Sequence, residues 1–140
     1  MIEINNIAKA SIKEKLFKQV GEEILDKENI QEEVDISVAI VKEQDIKTLN
    51  KIYRDKDEPT DVLSFAENSN FIFPIEGTKQ LGEIIICPSQ VKKAKEKISE
   101  VFIHGLLHLL GYTHKFEKDS IIMEAKQKKY LTFFKKYGSE

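Results

Sequence analysis

All three histidines of this 140-residue chain lie in one short stretch, from His104 to His114. His104 and His108 are four positions apart, so on a helix they share one face, one turn apart. Gly111 follows His108 where a helix can close with a residue in the left-handed conformation, and that closure would turn His114 back towards the other two. The spacing predicts a metal site with three nitrogen ligands and an open fourth position.

Imidazole ligands determine what such a site could do. They are neutral, so a bound Zn²⁺ would keep its full charge, lower the pKa of a bound water towards about 7 or polarise a phosphoryl oxygen. Nitrogen-only ligation favours Zn, Ni, Cu or Fe over Mg or Ca. In the H-E-x-x-H metallopeptidases the residue after the first histidine is the glutamate general base. Here it is Gly105, which disfavours a peptidase and predicts a close approach to the helix at that position.

A second candidate for chemistry is Arg54, the only arginine of the chain. A guanidinium stays charged at any relevant pH and offers a planar fork that fits phosphate. Close to the histidines, Arg54 could stabilise the negative charge that grows on a phosphate in a transition state. The sequence alone leaves a plain alternative open, an ordinary surface ion pair with a neighbouring aspartate. Three lysines are candidate substrate-binding residues: Lys56, Lys92 and Lys93.

Charge is unevenly distributed along the chain. The formal net charge is −2, but residues 1–90 hold 11 basic and 18 acidic residues, a net of −7, and residues 91–140 hold 11 and 6, a net of +5. The basic part is the one that contains the histidines. A local positive patch can attract phosphates, although lysine-rich helix faces are often only solvated.

Length and composition bound the class of protein. The chain has the length of one domain, residues 1–140, and 41% hydrophobic with 33% charged residues is ordinary for a globular protein. No apolar run reaches membrane-spanning length, and the N-terminus lacks the pattern of a secretory signal. A single cysteine, Cys87, excludes an intrachain disulfide. We therefore expect a cytoplasmic protein without a membrane or disulfide partner.

Periodicity predicts the elements that must position these residues. Apolar alternation and helical stripes indicate the order βαβαββαα, with strands near 2–7, 34–42, 62–66 and 81–87 and helices near 11–27, 43–54 and 119–136. Ser11 is a candidate N-cap of the first helix. Between Pro88 and the histidines, the pattern allows one helix or a break near 97–99. The adjacent third and fourth strands imply an antiparallel pair within a mixed sheet, hence an α+β fold. The aromatics of the last helix are interpreted as core contacts.

Two long motifs show that the chain resembles the YbeY family of bacterial endoribonucleases and rRNA maturation factors. The first is L-N-x-x-Y-R-x-K-D-x-P-T-D-V-L-S-F, matched by residues 49–65, and the second is H-G-x-L-H-L-L-G-Y-x-H, matched by residues 104–114. The segment L-G-E-I-I-I-C and the later Met123-Glu124 fall in the family's order. The first 48 residues fit only in pattern.

The resemblance implies a zinc ion held by His104, His108 and His114, with Arg54 as the residue most important for activity beside it. It implies cleavage of single-stranded RNA in the maturation of the 16S rRNA 3′ end and in ribosome quality control, with the 16S rRNA precursor and the ribosome or small-subunit assembly factors as partners. It also implies a mixed sheet of about four strands, with the histidine helix lining a cleft.

The chain departs from the family's pattern at three positions. Thr113 stands where the family has an aspartate before the third histidine, Ala66 replaces a proline, and Gln127 replaces the second glutamate of M-E-x-x-E. The segment between Cys87 and His104 also looks short. These changes leave the metal ligands in place and put the surrounding interactions in question.

The sequence leaves several points open. The nucleophile is a water or the substrate 2′-hydroxyl, and Asp61, Glu67 and Glu83 are only candidates for a general base. A binding module is the main alternative; its zinc would be structural and completed by a protein ligand such as Cys87 or a carboxylate. Another metal-dependent hydrolase is a third possibility.

Overall fold

The computed structural model describes residues 1–66 and 79–138. Within them lie four strands and five helices, in the order β1 (Ile2–Asn6), α1 (Glu14–Lys27), β2 (Val34–Ile40), α2 (Glu43–Arg54), β3 (Val62–Ala66), β4 (Lys79–Ile86), α3 (Pro88–Lys93), α4 (Ile98–Leu109) and α5 (Glu117–Lys136). The sequence shows no helical or strand periodicity over residues 67–80, which predicts a surface loop; residues 67–78 lie outside the described part, whereas residues 79 and 80 belong to β4. The observed order confirms the α+β class.

The four strands form one mixed sheet with the order β1-β2-β4-β3. β1 pairs with β2 and β2 with β4 in parallel, whereas β3 pairs with β4 antiparallel, with Val62 opposite Ile86 and Ala66 opposite Gly82. The predicted antiparallel pair is therefore confirmed, and it places β3 at the edge of the sheet. This edge matters because the candidate residues of the site gather around it.

Alternating side chains divide the core between the two faces of the sheet. On one face, Ile84 and Ile86 of β4 belong to the main cluster, which includes buried residues of α1, α4 and α5. On the other face, Ile85 packs with Leu63 of β3 and Ile46 of α2 in a smaller cluster. Helices α4 and α2 thus cover opposite faces, and both reach the edge strand β3.

The chain between Pro88 and the histidines forms two helices, so of the two possibilities left open by the sequence the break is observed. Lys95 has a φ of 59°, and the Glu96 N–H donates to the Val91 carbonyl at 3.1 Å, a closure that ends α3. α4 then begins at Ile98, where the Glu100 carboxylate accepts the Lys97 N–H at 3.1 Å. The break lets the histidine helix take its own direction across the sheet.

The expected cap of the first helix is wrong. α1 begins at Glu14 rather than at residue 11, and the residue before it is Lys13 instead of Ser11. Ile12 packs against the main cluster, so the tertiary packing of the residues before α1 outweighs the local capping preference of the serine.

No helix among residues 1–66 and 79–138 has both the length and the apolar character needed to cross a membrane.

Candidate metal centre

The three histidines meet at the C-terminal end of α4. The Nε2 atoms of His104 and His108 are 3.0 Å apart, and the ligand atoms of all three rings lie within 4.8 Å of one another. Two nitrogens bound to one tetrahedral Zn²⁺ at about 2.0–2.1 Å would be roughly 3.3 Å apart. The His104–His108 pair is already near the separation that a bound metal requires, and the three histidines could hold one, as the spacing in the sequence predicts.

Hydrogen bonds hold two of the rings with Nε2 turned towards the common centre. Nδ1 of His108 lies 3.0 Å from the Tyr112 carbonyl oxygen, which can only accept, so the proton of this ring belongs on Nδ1. Nδ1 of His104 lies 3.2 Å from Nε2 of the Gln127 side-chain amide. With the amide turned by 180°, its oxygen takes this place and accepts the Nδ1 proton of His104 as well. Both Nε2 lone pairs are then free for a metal.

His114 comes from the turn after α4 rather than from the helix itself. The Gly111 N–H donates to the His108 carbonyl and the Tyr112 N–H to the Leu107 carbonyl, at 3.1 and 3.0 Å, while Gly111 has a φ of 101°. This is the glycine closure that the sequence predicts. The Ser120 hydroxyl of α5 lies 3.4 Å from Nδ1 of His114, so the first turn of α5 supports the third ring.

Burial and mutual repulsion keep two of the rings neutral. Desolvation, followed by the neighbouring His108 and His114, lowers the pKa of His104 to about 4. Desolvation also lowers the pKa of His108, and the charges of His114 and Arg54 act in the same direction. Neutral imidazoles at physiological pH are what a metal requires of these ligands.

The histidine cluster has no fourth protein ligand within residues 1–66 and 79–138, because no cysteine or carboxylate there lies within the same distance of the three rings. Cys87 is fully buried in the small cluster on the α2 face, and its Sγ lies 3.3 Å from the Ser89 hydroxyl. The thiol is therefore not the ligand that a structural zinc site would need. An open fourth position is the arrangement of catalytic rather than structural zinc sites.

The close approach expected at Gly105 is to the sheet. A Cβ at this position would lie 2.9 Å from Cγ2 of Ile84 on β4. The position faces the sheet, and the glycine lets α4 cross β4 closely. A glutamate there would meet β4 instead of a substrate, a second reason against a peptidase of the H-E-x-x-H type.

Arg54 is the last residue of α2 and lies at the edge strand. One of its NH2 groups donates to the Ser64 carbonyl of β3 at 2.9 Å, and the guanidinium lies over the Phe65 ring, 5.1 Å from its centroid. Its charge lowers the pKa of His108, so it is electrostatically close to the histidine cluster. No ion pair of Arg54 within 4.0 Å occurs in the described part of the chain. The surface ion pair weighed as the alternative is absent there.

The turn after α2 fixes the position of Arg54. Asp55 adopts a φ of 58° and ends the helix, and the buried Asn50 donates from its amide to the Glu58 carbonyl at 2.8 Å. Lys56 and Arg54 line one surface pocket together with Thr60. The structure therefore brings Lys56 to Arg54.

The other two candidate lysines lie elsewhere. Lys92 and Lys93 are in the last turn of α3, and the Lys93 ammonium pairs with Glu43 at 3.6 Å. Glu43 begins α2, so this pair is at the opposite end of that helix from Arg54. No contact joins either lysine to the histidines among the interactions of the described residues.

The three candidate bases differ in position. Asp61 is close enough to His104 for its charge to raise the pKa of that ring, and its carboxylate accepts the Val62 N–H at 2.8 Å. Glu83 alternates with Ile84 and so faces away from α4, on the α2 side of the sheet. Glu67 lies outside the described residues.

A carboxylic acid that the sequence did not single out lies next to Asp61. Glu96, in the turn between α3 and α4, hydrogen bonds to Asp61. This contact, then desolvation, raises the pKa of Glu96 to about 7. The Glu96 carboxyl group is therefore partly protonated near neutral pH. Nothing in the sequence indicates this, because the two residues are neighbours only through the fold.

Comparison with known proteins places these features in a family. The chain is an α+β protein whose three clustered histidines could hold a metal, beside a basic residue at the sheet edge. Residues 3–135 match the family described as Endoribonuclease YbeY. A protein with that name from Staphylococcus saprophyticus is 38% identical over 136 residues, 88% of this chain and 89% of its own. The namesake from Thermotoga maritima is 42% identical over 130 residues, 86% of this chain and 77% of its own.

A solved structure supports the same assignment. The solution structure of TM1509 from Thermotoga maritima superposes with a TM-score of 0.63 at 33% identity, over 98% of this chain and 91% of the other. The chain belongs to the YbeY family, and the resemblance drawn from the two sequence motifs is confirmed.

Proposed function

We propose that this protein is a metal-dependent endoribonuclease. The observation that carries the proposal is that one ring nitrogen of each histidine lies within 4.8 Å of the others, with the charge of Arg54 close by. Family membership supports the same activity, since the relatives are named endoribonucleases. Zinc is the proposed metal, because three neutral nitrogens and an open position suit it.

A zinc ion at this site would supply Lewis acidity, which polarises a phosphoryl oxygen and acidifies a water. Arg54 supplies a fixed positive charge close to the histidines, held in place by its hydrogen bond to Ser64 and its stacking on Phe65. That charge would bind the substrate phosphate and stabilise the negative charge that develops on it. Asp61, paired with Glu96, is the best-placed group for taking up or delivering a proton.

Exposed aromatic rings near the cleft support a preference for single-stranded RNA. Tyr53 is 62% exposed and packs on Phe65, with ring centroids 5.2 Å apart, and the Arg54 guanidinium lies over the same Phe65 ring. Phe116, two residues after His114, is 65% exposed. Unpaired bases can stack on such rings, whereas the bases of a duplex already stack on each other.

The cellular role that we propose is maturation of the 16S rRNA 3′ end and ribosome quality control in the cytoplasm. The partners would be the 16S rRNA precursor and the ribosome or small-subunit assembly factors. Lys56 is proposed to contact RNA next to Arg54, and Lys92 and Lys93 to extend that contact along α3. Of these, Lys56 has the stronger support, because Lys93 already pairs with Glu43.

The first test combines metal analysis with RNA cleavage. We expect the wild-type protein to hold one zinc per chain and to cut single-stranded RNA faster than a duplex. Arg54→Ala should abolish cleavage but leave the zinc content and the thermal unfolding temperature unchanged, because Arg54 contacts none of the three histidines. His114→Ala should lose both zinc and cleavage.

The matched control is Lys18→Ala, which removes one positive charge from the exposed face of α1. It should leave cleavage unchanged. Full activity of Arg54→Ala would remove this residue from the mechanism. A protein that holds zinc but leaves RNA intact in every variant would favour the binding-module alternative.

A further inference from the structure

A buried carboxylate on the far side of the histidine turn is the strongest unassigned feature of the molecule. Glu28 follows the C-terminus of α1, and its side chain is only 8% exposed. It accepts hydrogen bonds from the hydroxyls of Tyr112 and Tyr130 and from the Lys126 ammonium at 2.8 Å. A buried carboxylate with three donors is charged and rigidly held.

The ionisation of Glu28 agrees with this geometry. Desolvation acts to raise its pKa, but the hydrogen bonds from Lys126, Tyr112 and Tyr130 outweigh that effect and leave the pKa below its ordinary value. The carboxylate is therefore an acceptor for all three groups at neutral pH. It connects the end of α1 with α5 and with the turn after α4.

Tyr112 is the residue through which this network reaches the histidines. Its N–H closes α4 on the Leu107 carbonyl at 3.0 Å, and its own carbonyl oxygen lies 3.0 Å from Nδ1 of His108. It also precedes His114 by two residues. The backbone of Tyr112 thus orients His108 and leads to His114. The hydroxyl of the same tyrosine is held by Glu28.

We propose that Glu28, acting through Tyr112, is a positioning residue of the metal site. It holds the Gly111–His114 turn so that the Tyr112 carbonyl orients His108 and His114 reaches the centre. Groups that hydrogen bond to metal ligands strongly affect metal affinity, and Glu28 fixes such a group from 84 positions away in the sequence. The inference rests on the metal site of the proposed function but not on its RNA substrate.

Two tyrosines of the network provide a matched pair of variants. Tyr112→Phe and Tyr130→Phe each remove one hydroxyl donor from Glu28 and keep the ring. Only Tyr112 belongs to the histidine turn, whereas Tyr130 is a buried residue of α5. A purely structural network would respond similarly to both changes. A positioning network would alter the metal site in the Tyr112 variant alone.

The experiment measures zinc affinity by competition with a chromophoric chelator and the visible spectrum of the Co²⁺-substituted protein. We expect Tyr112→Phe to weaken zinc binding about threefold to tenfold, less than the 10–100-fold typical of a direct partner of a ligand, and to shift the Co²⁺ bands. Tyr130→Phe should keep both within about twofold of wild type. Glu28→Gln, which keeps the shape and removes the charge, should follow Tyr112→Phe.

The outcomes separate this inference from the proposed function. Equal zinc affinity and identical Co²⁺ spectra in wild type and Tyr112→Phe would overturn the positioning role, whatever the enzyme does to RNA. An equal loss in both tyrosine variants would overturn it too, because the network would then act only on stability. A wild-type protein that binds no zinc would overturn the metal site on which both proposals rest.

Discussion

At the scale of single residues, the candidate metal ligands can be found from the sequence, whereas the groups that orient them cannot. The residue type and spacing of the three histidines predict a metal site, and the position of Gly111 after His108 predicts the end of the helix. The groups that orient them come from elsewhere: the Tyr112 carbonyl has no side-chain signature, and Gln127 lies 23 positions from His104. The sequence motif indicates which residues could bind a metal, whereas the hydrogen bonds that set the histidine tautomers depend on the fold.

Gln127 gives the first prediction at this scale. It occupies a position where the family pattern has a glutamate, and it contacts Nδ1 of His104 at 3.2 Å. A carboxylate there would accept the Nδ1 proton more strongly and raise the basicity of Nε2. We expect Gln127→Glu to tighten zinc binding and Gln127→Ala to weaken it about 10–100-fold, as measured by chelator competition. An affinity that does not change in either variant would contradict a role for this contact.

The second prediction concerns the pH dependence of folding. The pKa of His104 is lowered to about 4 from an ordinary value of 6.5. Between these values the unfolded chain binds a proton that the folded chain does not, so this histidine makes the metal-free protein less stable as the pH falls. Glu96, with a pKa raised to about 7, has the opposite effect over the same range, because its proton favours the folded state.

A comparison of two proteins separates these contributions. The free energy of unfolding is measured in urea for metal-free wild type and His104→Asn at pH 7 and pH 5. Glu96 contributes equally to both proteins, so its contribution cancels when their pH dependences are subtracted. Glu28 titrates below its ordinary 4.5 and stays charged in both conditions. Wild type should lose more stability than the variant between pH 7 and pH 5. The same loss in both would show that His104 is not held neutral by burial.

At the scale of elements, local periodicity predicts most of the fold. Helix α2 has the bounds expected from its stripe, Glu43–Arg54, and the strands differ by two residues or fewer at their ends. The start of α1 differs because Ser11 offers a local cap that the packing of the chain does not use. The break at Lys95 was one of two possibilities, because a left-handed lysine has no clear signal in the sequence.

The contact between α4 and β4 is an element-scale feature that can be tested. A Cβ on Gly105 would press on Ile84 at 2.9 Å, and overpacking of this kind costs about 1–3 kcal/mol. The better helix propensity of alanine offsets roughly 1 kcal/mol of that cost. We expect Gly105→Ala to destabilise the protein when Ile84 is present. In an Ile84→Ala background the same substitution should be neutral or stabilising.

Urea unfolding of the four proteins of this cycle gives the coupling free energy directly. A coupling of about 0.5 kcal/mol or more in the favourable direction would agree with the contact. Strictly additive effects would mean that α4 does not lie against Ile84. Loss of zinc affinity together with stability would further indicate that the helix position sets the histidine geometry.

At the scale of the whole molecule, the proposed RNA substrate is an anion, whereas the protein itself has a net negative charge. The chain has a net charge of −2, so no uniform attraction exists. Arg54 and Lys56, from the acidic residues 1–90, nevertheless line one surface pocket, and the charge of Arg54 reaches His108 in the net-positive residues 91–140. The fold brings these residues towards the histidines because the end of α2 contacts the edge strand β3, which α4 also contacts. The charge distribution along the sequence indicates the positive residues 91–140 but not the approach of Arg54 and Lys56 to them.

Salt dependence of RNA binding tests this arrangement. For single strands, the logarithm of the binding constant falls with that of the salt concentration with a slope of about −0.7 per phosphate neutralised. With metal-free protein and a short single-stranded RNA, so that cleavage does not interfere, we expect Lys56→Ala to weaken binding and to reduce the slope by about 0.7. Lys93→Ala should change the slope less, because its ammonium already pairs with Glu43 at 3.6 Å.

Lys18→Ala changes the net charge by the same amount as Lys56→Ala and lies on α1, so it separates a local phosphate contact from a general electrostatic effect. Its slope should equal that of wild type, since exposed charges farther than a Debye length of about 10 Å are largely screened. If all three lysine variants reduced the slope equally, the attraction would come from net charge alone. If only Lys93→Ala reduced it, the RNA would run along α3, and the path past Arg54 and Lys56 would be wrong.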